Sequence, residues 1–135
     1  MSSQPINYPE IIQDAATHVE RFIDSNVGPS FVFHNFQHTY AVVTALREIM
    51  EHFQLSDQDR FALEISAWFH DVGYSEGWEG HEKRGVAAAT AFLQDKGIGQ
   101  PILEQVEACI MATALPHTPQ SLLQKLICDA DLSHL

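Results

Sequence analysis

A chain of 135 residues, 45% apolar and 10% aromatic, can bury one core and is too short for two ordinary domains, and its composition excludes a disordered chain. Eighteen acids against seven lysines and arginines give a net charge of −11. Such a surface repels duplex nucleic acid and acidic membranes, and leaves a small anion drawn to a bound cation as the more compatible partner.

Apolar residues recur at helical spacing along most of the chain, with no strand alternation and no repeats, so an all-α domain of about six helices spanning 1–135 is predicted. Pro9 suits a first helical position, and Ile11, Ile12, Ala15, Val19, Phe22 and Ile23 follow on one face. The stretch Val27-Gly28-Pro29-Ser30 predicts the end of that helix. A second helix is predicted from about Asn35 to Phe53, carrying Tyr40, Val43, Leu46 and Ile49. With Asn35 as its cap, His34 precedes the helix and His38 falls in the first turn. With an earlier start, the two histidines share a face.

Ser56 has the character of an N-cap, with Asp57 and Asp59 in the first turn of a third helix that ends at His70-Asp71. A glycine-containing loop follows, including Tyr74 and Trp78, which read as packing groups. An alanine-rich helix then runs from near His81 to about Lys96 and is closed by Gly97-Ile98-Gly99. Pro101 opens a fifth helix through Ile102, Val106, Ile110 and Met111. Thr118-Pro119 predicts the start of a sixth, with Leu122, Leu126 and Ile127. The chain stops at Leu135 in what reads as a continuing helix, which suggests a C-terminally truncated domain.

Cys109 and Cys128 lie in apolar stretches without paired spacing and read as buried free thiols. No disulfide framework, signal peptide or spanning segment is evident, so a reducing, cytoplasmic location is expected.

The chemistry concentrates in histidines and carboxylates. His70 and Asp71 close an apolar helix, which places an imidazole and a carboxylate on a rigid support with water excluded from one side. His38 precedes them; His81, His117 and the Asp129/Asp131 pair follow. Five or six such ligands from separate helices can hold one or two divalent ions. Manganese, iron or another transition metal suits this N/O set, and magnesium is also acceptable. Either Asp129 or Asp131 is a ligand, with the other orienting a histidine. His34 is a candidate for orienting a metal ligand or touching substrate. After His81, Lys83 and Arg84 are candidate phosphate contacts, and Glu82 is a candidate orienter or proton donor. His18, His52 and His134 read as surface or packing residues.

In this order the residues resemble the HD superfamily of metal-dependent phosphohydrolases, whose mark is His…His-Asp…Asp on helices. The resemblance runs from Phe33-His-Asn-Phe-Gln-His-Thr-Tyr-Ala-Val42 through Phe69-His-Asp-Val-Gly73 to Asp129-Ala-Asp-Leu132. It implies His38, His70, Asp71 and Asp131 as the core ligands, choosing Asp131 over Asp129. His81 and His117 resemble the extra histidines of binuclear members, among them the HD-GYP phosphodiesterases and the diiron oxygenases, although the GYP element is absent.

The resemblance implies hydrolysis of a phosphate ester on a nucleotide or other small phosphorylated metabolite. Two ions about 3.5–4 Å apart would share a hydroxide, with Asp71 bridging. Two rival readings use the same residues: an iron-loaded oxygenase acting on a small molecule, and a metal-stabilised binding module without catalysis.

Overall fold

The computed structural model describes residues 6–26, 29–72, 80–114 and 116–133, with side chains described outside 24–35. Six helices account for most of them: α1 (Tyr8–Asn26), α2 (Pro29–Met50), α3 (Asp57–Phe69), α4 (His81–Asp95), α5 (Gln100–Ala112) and α6 (Leu122–Leu132). The fold is all-α, as the helical periodicity predicts.

The architecture is organised around α3, which packs against each of the other five helices. Its sequence explains why. From Phe61 to Phe69 every residue except Glu64 is buried, and a helix that is apolar on all faces is stable only when enclosed. The surrounding helices close the shell through α1 against α2, α2 against α6, and α5 against both α4 and α6. The end of α3 therefore emerges from the centre of the bundle, where a side chain is held by neighbours on several sides.

Local signals set most helix ends. Ser56 caps α3, its Oγ accepting from the Asp59 amide at 3.0 Å. The end of α4 is a Schellman turn. Gly97 takes φ +78°, the Ile98 amide donates to the Leu93 carbonyl and the Gly97 amide to that of Gln94, and Ile98 and Leu93 are both buried.

Three boundaries differ from expectation. The helix α2 begins at Pro29 rather than near Asn35, so proline opens it instead of marking only a break; Asn35 is not its cap, and His38 stands well inside the helix. It also ends at Met50, before Phe53. The α6 cap is Ser121, whose Oγ accepts from the Gln124 amide at 3.2 Å, and Thr118-Pro119 precedes the helix.

The two cysteines are buried and unpaired. Burial pushes the Cys109 thiol up to about 12 and the Cys128 thiol up to about 11, so both stay protonated and inert. No helix among the described residues is long and apolar enough to cross a membrane.

Candidate metal centre

The centre forms where α3 stops. His70 follows its last residue, still in right-handed helical geometry (φ −62°, ψ −28°). At this point the helix carbonyls have no amide partners of their own. The ring of His70 supplies one: Nδ1 lies 2.7 Å from the Ala67 carbonyl oxygen. A carbonyl only accepts, so Nδ1 carries the proton and Nε2 presents a lone pair. That Nε2 is buried and faces carboxylate oxygens without a well-directed hydrogen bond to either. A buried imidazole whose second nitrogen is tied to a backbone carbonyl is the arrangement that fixes a metal ligand's tautomer and direction.

Two carboxylates and a second imidazole converge on the same point. His38, from the interior of α2, places Nε2 3.3 Å from Asp71 Oδ2 and 3.2 Å from Asp131 Oδ1. His70 Nε2 lies 3.2 Å and 3.4 Å from the same two oxygens. Ligand atoms of His38, His70 and Asp71 all fall within 4.8 Å of one another. Neighbouring ligands bonded to one ion at about 2.1 Å sit roughly 3 Å apart when the angle between them is near 90°. The observed spacings match that requirement, and the donor set of imidazole and carboxylate suits a divalent transition metal.

Access is graded. The side chain of His70 is 2% exposed, those of Asp71 and Asp131 are 10% and 11%, and that of His38 is 24%. The cluster is thus anchored from below by α3 and opens to solvent beside α2.

Electrostatics report the same need for positive charge. Burial disfavours charge on His70, yet Asp71 and Asp131 outweigh it and hold the imidazole pKa well above its ordinary value. Burial likewise pushes Asp71 and Asp131 upward, and attraction to His70 and His38 more than reverses it, leaving both carboxyls below the usual range. Without a metal, a proton serves as the counter-charge. A divalent ion held by these residues would supply a stronger one.

The extra histidines approach the free oxygens of the two carboxylates. His81, the first residue of α4, brings Nε2 to 3.7 Å from Asp71 Oδ1. His117 brings Nε2 to 3.4 Å from Asp131 Oδ2, and both its ring nitrogens are buried without a hydrogen-bond partner. Asp71 therefore faces His38 and His70 with one oxygen and His81 with the other, the disposition a bridging carboxylate requires.

Glu82 places Oε2 3.0 Å from His81 Nε2. An orienting partner would touch the other ring nitrogen, so Glu82 stands on the ligand side of His81 rather than behind it. Lys83 is exposed and Arg84 half-buried, both in the first turn of α4.

Asp129 does not join the cluster. Two residues from Asp131 on a helix, it points about 200° away; it is exposed and pairs with Lys125 Nζ at 3.2 Å. The side chain of His34, and Tyr74 and Trp78, lie outside the described residues. His18 is exposed and lies with its ring centroid 5.9 Å from that of Phe69 and 5.3 Å from that of Phe92.

One positioning residue escapes a sequence reading. At Gly85 a Cβ would lie 2.7 Å from the Phe69 carbonyl oxygen and 3.6 Å from that of His70. Glycine lets α4 press against the end of α3, one turn beyond the point where His81 faces Asp71. Its sequence signal is only a glycine inside an otherwise helical run, a pattern that flags close packing without naming the partner.

The HD domain family model matches residues 35–134, most of the chain. The protein belongs to the HD domain family, within the superfamily of metal-dependent phosphohydrolases, whose members bind divalent metals. No curated protein and no solved structure matches it.

Proposed function

We propose that this chain hydrolyses a phosphate ester of a nucleotide or another small phosphorylated metabolite, using one or two divalent ions held by His38, His70, Asp71 and Asp131, with His81 and His117 serving a second position. The observation that carries the reading is the buried Nε2 of His70, its ring locked by the Ala67 carbonyl, aimed at the point where His38, Asp71 and Asp131 converge.

A bound divalent ion supplies a water of lowered pKa and a Lewis acid for phosphoryl oxygens. The protein's own groups do the rest. The backbone-anchored imidazole and the two carboxylates fix the ligand directions before substrate arrives, so no reorganisation is needed during the reaction. His38, on the open side, is the ligand nearest incoming substrate. The first turn of α4 lies at a helix N-terminus, where the dipole favours an anion, and Lys83 and Arg84 add positive charge for a phosphate. Glu82, beside His81 Nε2, is placed to accept or return a proton at that side of the site. The net charge of −11 makes a small substrate a better fit than nucleic acid.

The test is phosphate release from a panel of nucleoside phosphates, sugar phosphates and p-nitrophenyl phosphate by manganese- or iron-loaded protein, with oxygen uptake followed in parallel. Phosphate release without oxygen uptake is expected. No turnover of any ester by protein containing stoichiometric metal would overturn the proposal, and oxygen-dependent turnover would select the oxygenase reading instead.

A further inference from the structure

A cleft of about 620 Å³ lies at the opposite end of α3 from the metal centre, between the start of α1, the end of α2 and the first turns of α3. The thirteen residue steps from Asp57 to His70 span about 20 Å of helix. The cleft falls within the size range of small-molecule sites, about 300–1,000 Å³.

Its floor is apolar and aromatic. Tyr8 and Phe61 stack with centroids 4.4 Å apart and planes at 23°, and the buried Met50 and half-buried Ile12 extend the surface. Its polar lining is more specific. Glu64 is already neutralised by Arg47, whose Nε lies 2.7 Å from Oε1. Asp57 and Arg60 line the same cleft, and neither side chain has an ion-pair partner among the described residues. They stand three apart on α3, so their Cβ atoms are about 5–6 Å from each other on one face.

This pairing selects a ligand class. A simple anion would meet Arg60 but also the Asp57 carboxylate; a simple cation would meet the reverse conflict. A zwitterion answers both charges at once. We propose that the cleft binds a small zwitterion with an apolar body, the chemistry of a hydrophobic amino acid or dipeptide. The carboxylate sits on Arg60, the ammonium on Asp57, and the side chain on Tyr8 and Ile12, with the buried Phe61 stacked behind Tyr8. An adjoining recess of about 400 Å³, which shares Pro9, Ile12 and Glu64 with the cleft, leaves room for a second side chain. The proposal does not rest on the metal centre or on any hydrolytic activity.

The test is NMR titration of the full, manganese-free chain with L-phenylalanine and with L-phenylalanyl-L-leucine. N-acetyl-L-phenylalanine, which lacks the ammonium, and L-phenylalaninamide, which lacks the carboxylate, serve as controls. At least one zwitterion should saturate, shifting the Tyr8 and Phe61 ring signals and leaving those of His38 and His70 in place. Both capped analogues, and the zwitterion on Arg60→Gln or Asp57→Asn protein, should bind at least tenfold more weakly. Saturation by the dipeptide alone would assign the adjoining recess to the second side chain. The proposal is overturned if neither zwitterion saturates, if the capped analogues bind equally well, or if neither variant weakens binding. Unchanged His38 and His70 signals in the variants report that they remain folded.

Discussion

Around the start of α3, polar groups are largely answered by one another. Ser56 caps the helix, Gln105 donates to Asp59 at 2.9 Å, Gln58 donates to Gln105 at 3.0 Å, and Arg47 pairs with Glu64. The leftover Asp57 and Arg60 reach water along an open cleft. At the end of the same helix the groups are more deeply buried and their charges do not cancel. Two carboxylates face imidazoles that neutralise them only by taking up protons, and both ring nitrogens of His117 are buried without a hydrogen-bond partner. Such nitrogens are costly to leave bare. Most polar groups at the first end are satisfied by the protein itself; those at the second have the donors and the charge to accept a cation.

The sharpest way to break that contrast is to truncate one group at each end. His38→Ala removes a ligand that water can replace without collapsing the core, and should weaken divalent-metal binding by at least about 100-fold, more than the loss typical of orienting residues. Ser56→Ala should cost about 1 kcal/mol of stability and leave metal affinity unchanged. Calorimetric titration with manganese, together with thermal unfolding, reads both. Equal effects on metal affinity would erase the distinction between the two ends.

Gly85→Ala probes the support of the second end. Alanine in a helix is worth about 1 kcal/mol over glycine. Here its Cβ meets a backbone oxygen at 2.7 Å, which has little freedom to yield. Overpacking of this kind costs about 1–3 kcal/mol, so the clash wins and stability falls. Metal affinity should fall with it as His81 moves from Asp71. Chemical denaturation and metal titration of the variant check both.

The pH dependence should be smaller and opposite in the two metal states. In metal-free protein the raised pKa of His70 adds stability that is fully present below the unfolded value of about 6.5 and is lost as pH rises through the folded value. The depressed pKa values of Asp71 and Asp131 add stability that is present above about 3.9 and is lost as pH falls through their folded values. Metal-free protein should therefore lose stability as pH rises from about 6.5. Metal-bound protein, in which the ion replaces the proton, should gain over the same interval. Melting temperatures between pH 6 and 9, with and without manganese, measure the divergence.

The helices and most of the cluster are legible in the sequence for a local reason. Caps such as Ser56, the Schellman glycine Gly97 and the apolar run into His70-Asp71 act within a few residues of themselves. The start of α2 is harder. Pro29 and Asn35 both carry start signals, and α2 packs against α1, α3 and α6, so no single apolar stripe decides between them. Thr118 and Ser121 compete in the same way ahead of α6. Gly85 is silent because its reason is a carbonyl on another helix. The cleft is silent because its walls come from three helices. Asp129 and Asp131 are indistinguishable by composition, and only their opposite helical phases separate the exposed acid from the buried one.

Divalent-ion binding at the end of α3 is what separates it from the other end. It is tested most directly by elemental analysis of protein purified without chelators, then saturated with manganese or iron(II) under anaerobic conditions and dialysed. At least one tightly held ion per chain is expected, falling to none in a His38→Ala, His70→Ala double variant. No retained metal in the folded parent protein, or equal retention by the variant, would contradict the claim.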